Sequence, residues 1–168
     1  MNFKDFDTDL QYSLDSREDI LFDSFYRRAF PQLKNIEFVT ELSLQKKGFD
    51  KIIELESGKK FYIDEKKRRK DWGDILLEIW SNKEMKKKGW FITSEADYIV
   101  YAFMESKIVY VLPLLLMRMW AWKDKKYFMG FKTIESQNRN YVTVCKAIPT
   151  EILLTAIKDI IKQDIGAT

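Results

Sequence analysis

The spacing of apolar positions divides the chain into alternating helical and extended stretches. In DSREDILFDSFYRRAFP, Phe22, Phe25, Tyr26 and Ala29 recur at helical spacing and make one apolar face. Asp15 or Ser16 caps the start, acids fill the first turn, arginines fill the last, and Pro31 stops the helix. IEFVTEL then reads as a strand. DKIIEL and KKFYIDEK read as two more, joined at ESGK, whose Ser-Gly pair is a hairpin-turn signal. DILLEIW fits either a short helix capped by Asp74 or a strand, and its length favours the strand. ADYIVYAF and KIVYVL are continuous apolar runs of the kind found in a buried sheet. Pro113 suits the first turn of a helix running through Trp122. YVTVCKAI is a late strand. A last helix follows in PTEILLTAIKDIIKQ, with Thr150 as cap and Leu153, Leu154, Ile157 and Ile161 inward. This order predicts an α/β (α+β) fold, a central mixed β-sheet flanked by helices. One domain over residues 1–168 is the economical division, with 1–14 loosely ordered and 141–168 a C-terminal strand-and-helix extension.

Composition narrows the chemistry. Hydrophobic residues make up 46% of the 168 positions, enough for a packed core. One cysteine, Cys145, excludes an internal disulfide and fits a reducing compartment. The absence of histidine excludes Ser-His-Asp and Cys-His catalysis and Cys/His zinc sites. Carboxylates, lysines, tyrosines and a hard metal are left as tools. The longest apolar run, IVYVLPLLLM, is too short to span a bilayer, and the acidic N-terminus is unlike a signal peptide. The expectation is a cytoplasmic protein with no membrane partner.

The net charge of +3 conceals segregation. Met1 to Ser24 holds seven acids and two bases, whereas Lys59 to Lys70 holds seven bases and two acids. A local cationic run of this kind is the electrostatic footprint of a nucleic-acid binder. The two acids in it, Asp64 and Glu65, matter through strand geometry. Residues two apart share a face, so Asp64 and Lys66 point one way with Tyr62 and Arg68, and Glu65 points the other way with Ile63 and Lys67. A turn near Ser57 and Gly58 returns Asp50 to the Asp64–Lys66 end, because position 57 is midway between the two aspartates. Two carboxylates and an ammonium would then converge. Oxygen donors in that number suit Mg²⁺ or Mn²⁺, which would activate a water and neutralise a phosphodiester. Lys66 would assist that water, and Lys67, Arg68, Arg69 and Lys70 would hold flanking DNA phosphates. A register using Glu65-Lys66-Lys67 is disfavoured, since that face carries core-like residues.

Gly48-Phe49-Asp50, the hairpin, and Asp64-Glu65-Lys66 together resemble the PD-(D/E)XK nuclease superfamily, of restriction-endonuclease-like fold, over roughly residues 16–116. Phe49 stands where the motif has proline. The resemblance implies an Mg²⁺-dependent endonuclease of DNA, with Asp50 and Asp64 as metal ligands, the Glu65 backbone carbonyl as a further ligand, and Lys66 catalytic. It also implies an added glutamate, Glu37 or Glu41. QKKGFD is similar to nucleases of phage and mobile-element type, in which a glutamine such as Gln45 lies near the cleft. No appended recognition domain is visible, which leaves this domain, a homodimer or another partner to provide specificity.

Three further features are open to function. Glu78 would be a third acid if DILLEIW lay beside the hairpin, and a surface acid otherwise. Trp72 follows KKRRKD as a stacking candidate in a loop, whereas the other tryptophans read as mostly core. KEMKKKG is a solvated turn or a second phosphate-contacting edge.

Overall fold

The computed structural model describes residues 16–161. The expectations for Met1–Leu14 and for the cap at Asp15 lie outside these residues. The elements are α1 (Ser16–Ala29), β1 (Leu33–Phe38), α2 (Leu42–Gln45), β2 (Lys51–Leu55), β3 (Lys60–Arg68), β4 (Asp74–Asn82), β5 (Lys87–Lys88), α3 (Trp90–Thr93), β6 (Tyr98–Phe103), β7 (Ile108–Pro113), α4 (Leu114–Lys123), α5 (Lys125–Gly130), β8 (Thr133–Gln137), β9 (Val142–Pro149) and α6 (Thr150–Ile161).

The strands form two sheets. The larger runs β1-β2-β3-β6-β7 and is mixed, because β3 and β6 are parallel while its other pairs are antiparallel. The smaller runs β5-β4-β9-β8 and is antiparallel throughout. The fold is thus α+β, with a central mixed sheet flanked by helices. DILLEIW is a strand, but it belongs to the smaller sheet and does not pair with the hairpin. The late strand β9 pairs along β4.

Alternation in β2, β3 and β6 sends side chains to both faces of the larger sheet. One face takes Ile53, Ile63, Val100 and Ala102, which pack under Phe22, Tyr26 and Phe30. Ile53 and Ile63 are fully buried there, each worth about 1.5–3 kcal/mol of transfer free energy. Ala29 is exposed, and Phe30 takes the place expected for it on the apolar side. The other face presents Ile99, Tyr101, Phe103 and Leu112 to Ile75, Leu77 and Ile148 of the smaller sheet and to Met117 and Leu153 of α4 and α6. Ile157 joins this cluster, while Leu154 is exposed rather than inward. Ile161's side chain is outside the description.

The segments that local periodicity missed are short or polar. β5 has two residues, α2 and α3 have four each, and β8 alternates polar with partly buried positions. Their pairing and docking come from tertiary partners.

Candidate functional site

The β2–β3 hairpin has the register expected from its turn. Lys51 pairs with Ile63 and Glu54 with Lys60, and the chain turns at residues 56–58. One step before Lys51, the Asp50 amide donates to the Ile63 carbonyl at 2.8 Å. The Glu65 amide then donates to Asp50 Oδ2 at 2.7 Å. Asp50 is thereby fixed across from Asp64.

Asp64 is 1% exposed. Its Oδ1 accepts from Lys66 Nζ, and its Oδ2 is buried with no hydrogen-bond partner. An orphan carboxylate oxygen carries a substantial desolvation cost unless something else binds it. Gly48 (φ +85°) packs against this carboxylate: a Cβ there would stand 3.2 Å from Asp64 Oδ2 and 2.6 Å from Ser94 Oγ. The left-handed backbone and the missing side chain together keep this corner open.

Asp50 retains solvent access but has a crowded neighbourhood. Loss of solvation is the largest influence on its carboxyl and raises the pKa above the usual carboxylate value; the nearby Asp64 carboxylate raises it further. Lys66 and the Glu65 amide oppose both, and the net direction is upward.

The opposite face of β3 holds a second cluster. Glu65 Oε1 accepts from the Tyr26 hydroxyl at 2.6 Å and lies 3.0 Å from Lys51 Nζ. Lys51 is 1% exposed and is ringed by Phe22, Tyr26 and Phe38 at 4.6–5.4 Å from the ring centroids. Burial, and next the Glu65 carboxylate, push the Tyr26 hydroxyl far above its ordinary pKa. Tyr26 therefore remains a proton donor to Glu65. Asp64 and Lys66 on one face, Glu65 on the other, is the division that strand alternation implied.

The basic run after Lys66 does not converge on the acids. Lys67 turns to the α1 side, with Nζ 5.0 Å from the Phe22 ring centroid. Arg68 pairs with the Asp74 carboxylate and donates to the Asp74 carbonyl at 3.0 Å. Arg69 bonds Glu105 at 2.9 Å, and Lys70 covers the exposed Trp72 ring at 4.5 Å. Asp71 accepts from the Gly73 amide at 2.7 Å, which closes a turn after the basic run.

The additional candidates are not gathered at the acid pair. Glu37 is exposed on β1, opposite Ile52. Glu41 precedes α2 and accepts from the Ser43 hydroxyl. Gln45 donates to the Val39 carbonyl at 2.9 Å and steadies the loop leading to Asp50. Glu78 accepts from the Trp90 amide at 3.2 Å, at the first turn of α3. Among the described residues, no group of three or more acidic or cysteine side chains could hold a metal ion.

Ser94 and Lys51 are neighbours that sequence reasoning passed over, and Trp90, read there with the core tryptophans, is a third. Trp90 is partly buried and its ring centroid lies 5.7 Å from Lys66 Nζ. Ser94 is buried, receives the Ala96 amide at 3.3 Å, and its carbonyl accepts from Arg118 at 2.7 Å. Ser94 carried no local signal, because the Gly48 corner that it packs on lies far away in the sequence. Lys51 did carry one: a lysine amid β2's apolar positions, opposite Ile63, is unusual enough to ask for a buried acid.

Among the described residues no helix is long and apolar enough to cross a membrane. Comparisons with protein-family models, with curated proteins and with solved structures return no match for this chain.

Proposed function

We propose that the protein is a metal-dependent nuclease that hydrolyses DNA phosphodiester bonds, with a restriction-endonuclease-like fold. The observation that carries this reading is Asp64: a buried carboxylate with one unpartnered oxygen, next to Asp50 and in contact with Lys66. The donor set fits a hard divalent cation. Mg²⁺ characteristically keeps several waters and uses one or two carboxylates plus substrate phosphate, so two acids are sufficient. Asp50, Asp64 and the Glu65 backbone carbonyl are the residues that would hold Mg²⁺ or Mn²⁺, which supplies a water of lowered pKa and a counter-charge for the phosphodiester.

The chain's own groups have distinct tasks. The Glu65 amide orients Asp50 at 2.7 Å. Lys66 carries the positive charge on the site face, where it orients the attacking water and stabilises charge gathering on phosphorus-bound oxygens. Tyr26 and Lys51 hold Glu65 from behind, which fixes the strand segment that presents Asp64 and Lys66.

A second reading, binding of nucleic acid without cutting, is favoured by one observation: Lys66 already pairs with Asp64. The two readings separate in a cleavage assay on labelled duplex, branched and single-stranded DNA with Mg²⁺ or Mn²⁺. The nuclease reading expects product from the native chain and none from Asp64→Asn or Lys66→Ala, with DNA binding retained. Binding without product on every substrate would leave the non-catalytic reading standing.

A further inference from the structure

We infer that the β4–β5 hairpin holds the phosphate backbone of DNA beside the acid pair, through Lys86, Lys87 and Lys88. The identity of the ligand rests on the nuclease reading; the geometry comes from the hairpin itself.

The first half of the hairpin tip is tied down. The Lys83 amide donates to the Val142 carbonyl at 2.9 Å, and Lys83 Nζ bonds Glu135 at 2.6 Å. Glu84 accepts from the Val142 amide at 3.1 Å, and Asn82 closes the turn on the Met85 amide at 2.9 Å. These bonds fix the tip against β8 and β9. The second half is different. Lys86, Lys87 and Lys88 are exposed, and among the described residues none of them has a carboxylate partner. This is the reverse of the run after Lys66, where Arg68 and Arg69 are paired with acids.

Position links the hairpin to the site. Lys88 is followed by Gly89, which packs so closely on Glu78 that a Cβ would collide with the Glu78 carbonyl. Trp90 comes next, anchored by Glu78 and lying beside Lys66. The lysine run therefore ends two residues before the ring that lies beside Lys66, with the close Gly89–Glu78 packing between them.

β5 is the edge strand of the smaller sheet, so Lys87 and Lys88 leave on the two sides of one open edge. Three cations along such an edge complement a run of phosphates.

The test is metal-free binding of the full chain to a labelled duplex of about 20 base pairs, followed by anisotropy across a salt series. K86Q/K87Q/K88Q is expected to lose about tenfold or more in affinity and to lower the salt slope by roughly two to three, as loss of up to three phosphate contacts requires. The control K123Q/K125Q/K126Q removes the same charge elsewhere and is expected to change affinity by no more than about twofold, with its slope nearly intact. Equal losses in the two variants overturn the inference. Aggregation of the hairpin variant with unchanged affinity also overturns it, showing that the lysines only guard a sheet edge. Cleavage is scored separately. A hairpin-specific binding loss without cutting removes the nuclease reading and keeps the inference, and cutting without that loss does the opposite.

Discussion

Two acid–lysine pairs stand back to back on β3, and they are built for opposite ends. On the α1 side, Glu65 meets both Tyr26 and Lys51 in a packed aromatic setting. On the other side, Asp64 meets Lys66 but leaves Oδ2 without a partner next to a glycine. A carboxylate whose Oε1 meets both a hydroxyl and a buried ammonium belongs to the architecture. One that is buried and partly unsatisfied costs stability, and such costs concentrate where a ligand makes them good.

The largest expected effect separates the faces by activity. Asp64→Asn and Lys66→Ala should each lower metal-dependent DNA cleavage by about 10²–10⁴-fold while the folded state persists. Initial rates on labelled DNA beside urea melts check this, and undiminished cutting in either variant would remove the front face from catalysis.

Next comes stability on the opposite face. Lys51→Met or Glu65→Leu leaves one buried charge uncompensated and should cost about 3–5 kcal/mol, read from denaturant unfolding. If these variants unfold no more easily than Asp64→Asn, the contrast between the faces is lost. Tyr26→Phe tests the same cluster more gently. It removes one hydrogen bond to a carboxylate and should cost about 1.5–3 kcal/mol. An unchanged unfolding midpoint would show that Glu65 relies on Lys51 alone.

The smallest effect is a pH dependence at Asp50. Its pKa is raised in the folded state, chiefly by lost solvation. The sign follows from linkage: the protonated form is favoured by folding, so the contribution is full below the ordinary aspartate pKa and is lost as pH rises through the raised value. Asp50→Asn, uncharged at every pH, should match the native chain in acid and become relatively more stable above that window. Urea midpoints over roughly pH 3.5–8 measure the gap, and a gap independent of pH would contradict the assignment.

What the sequence could reveal was the local part. The midpoint at residue 57 set the hairpin register, and that register places the Glu65 amide on Asp50. Strand alternation separated Asp64 and Lys66 from Glu65. The parallel neighbour of β3 was not legible, because β6 begins thirty residues after β3 ends and no turn chemistry links them. The two-sheet division was hidden for the same reason: β4 finds β9 across most of the chain's second half. The partners of the basic run were hidden too, because one-dimensional charge density does not show them. Asp74 and Glu105 capture Arg68 and Arg69, and Glu105 lies far along the sequence.

The parallel β3–β6 pairing also fixes the order in which the site can come together. Asp50 and Glu65 are 15 positions apart and meet within one hairpin, a contact that closes quickly. Asp64 is paired with Ile99 only after a far larger loop has closed. The two aspartates are neighbours within the hairpin, whereas the strand beside Asp64 comes from the later half of the chain. The assembly of a centre drawn from residues 48–66 is therefore governed by the speed and fidelity with which the later half of the chain arrives.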